Sequence, residues 1–185
     1  MRIFLTQVLP LLLPLAIYLI WLQRARRNAA ATGAGLPPVR DAPWPWMIGA
    51  ALAAGISIYL AWLLGAPEAV VGSLAPKSIT TPIAVEVAKS TDGLVSLTAG
   101  AVAITGIVGA LLGGLIFRLL RVHDDRIRGF ALGLVAHAIG TARAFEYGEK
   151  AGAFASLALG LTGLLTALAL PWLWPWVSQW LFAGG

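Results

Sequence analysis

Two short polar stretches interrupt a very apolar chain, and their side chains are of types that bind small anions. The first stretch runs from Ser73 to Glu86 and the second from His137 to Lys150. Lysine, histidine and arginine supply positive charge, and an arginine binds a carboxylate through two parallel hydrogen bonds. The predicted binding residues are Lys77, Ser78, Thr80, Thr81, His137, Gly140, Thr141 and Arg143. The pattern therefore predicts one pocket for a small anion, assembled from both stretches.

Each polar stretch also carries a glutamate, and several roles stay open for the charged residues. Glu86 and Glu146 are predicted to carry a coupled proton or to neutralise Arg143. The spacing of Arg143 and Glu146 favours an ion pair on one helix face. His137 suits a proton relay, although a single histidine is more often only hydrogen-bonded. For Lys77, the alternative to a binding role is a side chain that reaches to the membrane surface.

The composition indicates a protein of the lipid bilayer. Of the 185 residues, 59% are hydrophobic and 11% charged, and the mean hydropathy is +0.84. Apolar runs of about 20 residues recur, which is the length that crosses a hydrocarbon core of about 30 Å. The chain has no cysteine, which excludes disulfides and thiolate sites. We predict an all-α, multi-pass membrane protein that is not an enzyme, binds no nucleic acid and uses no metal or cofactor.

The apolar runs divide the chain into residues 1–45 and a membrane domain, residues 46–185. Ile3–Leu22 is predicted to be a retained transmembrane helix. A secretory signal peptide is the alternative, but this run is long for one and its basic cluster follows it. The basic linker Gln23–Pro45 is predicted to be cytoplasmic. Further membrane spans are predicted at Trp46–Leu64, Gly93–Leu120 and Ala151–Trp176, the last of them ended by Pro171 and Pro175.

Between these spans lie two segments, Gly65–Asp92 and Asp125–Lys150, in which an unbroken helix is not expected. Pro76 and Pro82 each remove a backbone donor and clash with the preceding turn. Broken backbone at membrane depth is tolerated only where it is buried in protein or lines a cavity. Half-helices are predicted to begin at Thr80-Thr81 with Pro82 in the first turn, and at Gly140-Thr141 after a turn near Ile139-Gly140.

A charged loop, Arg121–Arg128, precedes the second broken segment. His123 beside two aspartates resembles a metal ligand set, but no further ligands accompany it. Asp124 or Asp125 is instead predicted to cap the following helix, because an acidic side chain is favoured at a helix N-terminus.

The two polar stretches repeat one another at an offset of about 60 residues. The coinciding pairs are Ile79/Ile139, Thr81/Thr141, Ala84/Ala144 and Glu86/Glu146, and Thr105-Gly106 matches Thr162-Gly163 after a small gap. Two predicted spans are flanked by basic loops, and the excess of basic residues places both loops in the cytoplasm. Each broken segment must then enter and leave on one face, and the two do so from opposite faces. The prediction is about four transmembrane helices plus two re-entrant hairpins in an inverted repeat, as in secondary transporters. The alternative is that both broken segments cross the membrane as kinked helices.

The segments Leu74–Ser90 and Ala136–Glu146 resemble the two signature stretches of the LrgB/CidB family, as do Gly148–Phe154 and Gly163–Ala167. The similarity covers roughly Met47 to the C-terminus, while Met1–Arg40 does not match. Members usually carry several more helices before the first motif, so the chain is expected to be shortened relative to the family.

The resemblance implies one of two functions at the bacterial inner membrane. The first is a carrier of small monocarboxylates such as pyruvate or glycolate, with the bilayer and the anion as partners. The second is an antiholin-like effector of murein hydrolase activity and cell lysis, which acts through self-association and a small LrgA/CidA-type membrane partner. The residues above suit the carrier better.

Overall fold

The structure is a computed structural model that describes residues 44–182, and the chain is all-helical over that range. The predicted helix Ile3–Leu22 and most of the basic linker lie outside the described residues. The helices are α1 Trp44–Leu63, α2 Glu68–Leu74, α3 Thr81–Ser90, α4 Val95–Leu119, α5 Asp125–Phe145 and α6 Glu149–Phe182.

Two of these helices, α4 and α6, are long and apolar enough to cross a membrane. With 25 and 34 residues, they extend about 38 and 51 Å at 1.5 Å per residue. Their outer faces carry large exposed apolar side chains, among them Leu111, Leu119, Leu168 and Trp176. A surface of this kind fits a lipid solvent, so the length and composition of these two helices support the predicted membrane class.

The first broken segment folds back on itself as a hairpin, residues 68–90, made of α2, a tight turn and α3. Gly72 and Ser73, in the last turn of α2, contact the chain after α3 and hold the two arms together. The hydroxyl of Thr91 donates to the carbonyl of Gly72 at 3.3 Å, and the amide of Leu94 donates to the Ser73 hydroxyl at 2.6 Å. A methyl group at Gly93 would lie 2.9 Å from the Ser73 nitrogen, so this close approach requires glycine.

The second hairpin is α5 itself, which breaks at Ala136 (φ −114°, ψ 15°) and His137 (φ 43°, ψ −133°). Its first arm, residues 125–135, runs in the same direction as α6. Gly129 lies against the carbonyl of Ala151, and Gly133 lies against the carbonyl of Ala155, one turn further along both helices.

The second arm, residues 138–145, must therefore run the opposite way. Gly140 packs against the carbonyl of Leu132, whereas residues eight apart on a straight helix are separated by about 12 Å. Phe145 packs on Gly152 at the start of α6. The second hairpin thus begins and ends at the same end of the bundle.

Several local predictions are corrected by the structure. The break in α5 lies at Ala136 and His137, so the predictions of a turn at Ile139-Gly140 and of a half-helix beginning at Gly140-Thr141 are wrong by about one turn. Pro171 and Pro175 do not end the last helix, which continues to Phe182. Proline is tolerated there because membrane helices replace the missing hydrogen bond through neighbouring groups.

The capping predictions have mixed outcomes. Asp124 is the N-cap of α5, and its carboxylate accepts a hydrogen bond from the amide of Arg126 at 2.9 Å, as predicted. Thr80 occupies the N-cap position of α3, with Pro82 in the first turn as predicted, but its hydroxyl makes no capping bond.

Candidate functional site

The turn of the first hairpin buries a lysine that is not neutralised by any group in the described part of the chain. The side chain of Lys77 is 0% exposed, and its ammonium nitrogen has no hydrogen-bond partner in the described part of the chain. The adjacent hydroxyl of Ser78 is likewise buried without a partner. A buried ammonium is strongly unfavourable unless it is paired or hydrogen-bonded. The turn therefore presents an amino group and a hydroxyl whose hydrogen-bonding capacity is left for another molecule.

The break of the second hairpin places a histidine in the interior. His137 has a positive φ, which is uncommon for a residue with a side chain and marks a strained backbone. Its ring nitrogen Nε2 lies 2.8 Å from the carbonyl of Val102, and its own carbonyl accepts a hydrogen bond from Thr141 at 2.9 Å. A methyl group at Gly106 would lie 2.5 Å from the imidazole, so α4 admits the ring only because a glycine stands there.

Both hairpins contact the same helix at positions one turn apart. The Thr98 hydroxyl of α4 donates to the carbonyl of Ser73 at 2.9 Å, and the Val102 carbonyl of α4 is bound to His137. One face of α4 thus holds both hairpins, and the joint use of Lys77 and His137 in one site stays a prediction.

The other predicted binding residues have different surroundings. Thr80 is half-buried and Thr81 is exposed. Gly140 and Thr141 are buried, and both help the chain to reverse direction. Gly140 leaves room for the first arm, while the Thr141 hydroxyl binds the carbonyl of His137. Their assignment to solute binding stays a prediction.

The remaining charged candidates lie towards the hairpin bases, away from the breaks. Glu86 pairs with Lys89 at 2.6 Å, with exposed side-chain fractions of 70% and 56%. Arg143 pairs with Glu146 at the i,i+3 spacing, and both side chains are partly open to the outside. The ion pair expected from the spacing of Arg143 and Glu146 is therefore present. The roles of these residues in binding and coupling stay predictions, and the structure does not bring any of them to Lys77.

Arg143 also belongs to a cluster of three side chains that could not be predicted from the sequence. The guanidinium of Arg143, on the second arm, lies 5.5 Å from the centre of the Tyr147 ring, and that of Arg128, on the first arm, lies 5.4 Å from the same ring. Cation–π contacts at exposed sites contribute about 0.5–1 kcal/mol each. Tyr147 therefore joins the two arms at the base of the second hairpin.

Replacing Tyr147 with leucine is expected to lower the free energy of unfolding by about 1–2 kcal/mol, since both cation–π contacts are lost. Replacement with phenylalanine keeps the ring and is expected to change it by less than about 0.5 kcal/mol. Denaturation of the purified protein in mixed micelles, followed by circular dichroism, measures both variants. Equal destabilisation by leucine and phenylalanine would show that the hydroxyl, and not the ring, matters.

Two further buried hydroxyls have no partner among the described residues. Thr105 in α4 and Thr162 in α6 are 0% and 2% exposed. The sequence matched them as equivalent positions of the repeat but gave no reason to place them in a site. Over residues 44–182, no three histidine, aspartate or glutamate side chains come together as a metal site would require.

Comparison with known proteins identifies the family. The model described as the LrgB-like family matches residues 44–176. The chain belongs to the LrgB-like family. The resemblance read from the two signature stretches is thereby confirmed, and the match covers the two hairpins and nearly all of the helices that hold them.

Individual LrgB-like relatives match over part of their length. An uncharacterized protein of Haemophilus influenzae is 37% identical over 112 residues, which are 60% of this chain and 48% of that protein. YxaC of Bacillus subtilis, also named as uncharacterized, is 39% identical over 110 residues, or 60% and 46% of the two chains. The antiholin-like protein LrgB of Bacillus mycoides is 32% identical over 139 residues, or 72% and 60%. The chain thus spans about half the length of the relatives it matches. No solved structure matches it.

Proposed function

We propose that this LrgB-like chain is a component of an inner-membrane carrier for small monocarboxylate anions, with the two hairpin breaks as the solute site. The observation that carries the proposal is the amino group of Lys77, which is fully buried without a partner among the described residues, on a hairpin that contacts the same face of α4 as the second break. A carboxylate supplies the opposite charge and the hydrogen-bond acceptors that such a group needs. A single carboxylate matches the one lysine that is buried without a partner within residues 44–182.

The arrangement of the hairpins supports a carrier with an inverted repeat. Each hairpin returns towards the end at which it began, and each is followed by a long apolar helix, α4 or α6. Because α4 separates the two hairpins, a membrane-spanning α4 places their bases on opposite faces. Solute sites of secondary transporters lie where such broken elements meet near the midplane.

The proposal is tested by uptake into liposomes that contain the full chain. Labelled pyruvate is expected to enter faster than into empty liposomes. Unlabelled lactate and acetate are expected to compete, while the neutral analogue acetamide is not. Absence of both uptake and saturable pyruvate binding by the purified chain would contradict the proposal.

A second candidate function rests on the names of relatives and on one surface feature. The relatives named antiholin-like suggest an effector of cell lysis and murein hydrolase activity that works by assembly in the membrane with a small LrgA-type partner or with itself. An open apolar groove of about 460 Å³ between α1 and α6 supports this reading, with small side chains such as Ala51, Gly55 and Ala169 in its lining. Small residues let membrane helices approach closely. Under this function, enlarging Gly55 to leucine should impair assembly, whereas changes at Lys77 should have little effect.

A further inference from the structure

Most hydroxyl side chains within the helices bind the carbonyl one turn earlier, which is the ordinary solution for serine and threonine in a helix. Ser57 donates to Ala53 at 2.6 Å, Thr141 to His137 at 2.9 Å, and Ser156 to Gly152 at 3.0 Å. Thr105 and Thr162 are buried in the same kind of helix, yet neither hydroxyl makes this bond or any other within residues 44–182. Because a buried hydroxyl without a partner is unfavourable, packing alone does not explain why a threonine stands at each of these two positions.

The glycine that follows each threonine lies against a hairpin. Gly106, next to Thr105, lies against the His137 ring and the side chain of Ile139 in the second hairpin. Gly163, next to Thr162, lies against Ile83 in the first hairpin, where a methyl group at the glycine would come within 3.3 Å of the Ile83 side chain. The helix that follows one hairpin therefore touches the other hairpin in both cases.

The sequence repeat pairs the same two positions independently. Thr105-Gly106 and Thr162-Gly163 match at nearly the offset that relates the two polar stretches. Burial and the missing back-bond are thus shared by two threonines that the repeat makes equivalent, and the glycine that follows each of them contacts the opposite hairpin. Together with Ser78, they are the buried hydroxyls that lack a partner in the described residues.

We infer that Thr105 and Thr162 are solute-contacting residues of the site at the hairpin breaks, an inference that rests on the proposed carrier function. Lys77 binds the carboxylate of the anion, and the two hydroxyls, each both donor and acceptor, approach it from α4 and α6. They fix the orientation of the anion and bind an oxygen substituent next to its carboxylate. Anions with such a substituent, as in lactate, are then bound more tightly than propionate, which lacks it.

The absence of cysteine from the chain allows a direct test by single substitutions. Thr105→Cys and Thr162→Cys are expected to react with a small methanethiosulfonate reagent in proteoliposomes. Lactate at about ten times its dissociation constant is expected to slow both reactions about tenfold, since it then occupies about nine-tenths of the sites. Ser57→Cys is the matched control, because Ser57 is equally buried but back-bonded in α1. Its reaction is expected to be unaffected by lactate.

The outcomes separate this inference from the proposed function. Labelling that lactate does not slow at either position, in a protein whose parent chain takes up lactate, overturns the inference and leaves the carrier function standing. A parent chain that neither binds nor transports any monocarboxylate overturns both.

If a cysteine variant does not fold, Thr105→Val and Thr105→Ser replace it. The valine variant is expected to raise the KM for lactate about tenfold and the serine variant to restore it, while equal KM values overturn the inference.

Discussion

Replacing Lys77 with methionine is expected to lower monocarboxylate uptake by about 100-fold or more without weakening the fold. Removing one partner of a buried, hydrogen-bonded charge pair costs about 2–5 kcal/mol of binding free energy. Methionine has a similar length, and it removes a buried charge that has no partner within the described chain. The free energy of unfolding is therefore expected to stay the same or to rise by about 1 kcal/mol or more.

The matched control for this change is Lys89→Met in the same hairpin. Lys89 is exposed and paired with Glu86, and exposed ion pairs contribute at most about 1 kcal/mol. Uptake and stability are both expected to remain near the parent values. If Lys77→Met keeps full uptake, Lys77 does not bind the anion. If it loses more than about 2 kcal/mol of stability, the lysine has a structural partner instead.

Replacing Gly133 with alanine is expected to destabilise the protein by about 3 kcal/mol and to separate the second hairpin from α6. The added methyl group would lie 2.7 Å from the carbonyl carbon of Ala155, and still nearer to its oxygen. Overpacking commonly costs about 1–3 kcal/mol, and here the obstructing group is backbone, which cannot rotate away. Uptake should fall as well, because the position of His137 depends on this contact.

Gly160→Ala is the control for the glycine substitution. Gly160 lies in α6, about one turn beyond Ala155, and a methyl group there meets nothing within 4 Å. Alanine is the better helix former by about 1 kcal/mol, so this variant is expected to be slightly more stable than the parent. Both proteins can be unfolded in mixed micelles and followed by circular dichroism. A Gly133→Ala variant as stable as Gly160→Ala would show that the first arm and α6 are not in contact.

The first hairpin could be predicted closely because its determinants are local. Pro76 and Pro82 each disfavour an unbroken helix because each removes a backbone donor, and Lys77 lies between them in the turn that results. The N-cap of α5 was predictable for the same reason, since Asp124 acts on the amide of its second neighbour.

The second hairpin was placed only approximately because distant contacts fix its break. No proline marks Ala136 or His137. The ring of His137 is held by the carbonyl of Val102 and by the space that Gly106 leaves, both on another helix. Only part of the surroundings of Arg143 could be predicted from the sequence. Its ion pair with Glu146 follows from the local spacing, but its contact with the shared Tyr147 ring depends on how the two arms come together.

The unbonded hydroxyls show a further limit of sequence reasoning. Thr105 and Thr162 stand in apolar runs where a threonine ordinarily binds its own helix backbone. Only the positions of both side chains reveal that this bond is absent. The repeat marked them as equivalent, which becomes informative once their burial is known.

In the proposed arrangement, two hairpins enter the membrane from opposite faces, and each returns to the face from which it came. Single cysteines at Glu68, Ser90, His123 and Lys150, all exposed positions beside the hairpin bases, can be labelled in intact cells with a membrane-impermeant maleimide. Glu68 and Ser90 are expected to react from the outer face, while His123 and Lys150 are expected to react only after the cells are opened. Labelling of Glu68 and Ser90 from opposite faces would contradict it, because the first broken segment would then cross the membrane.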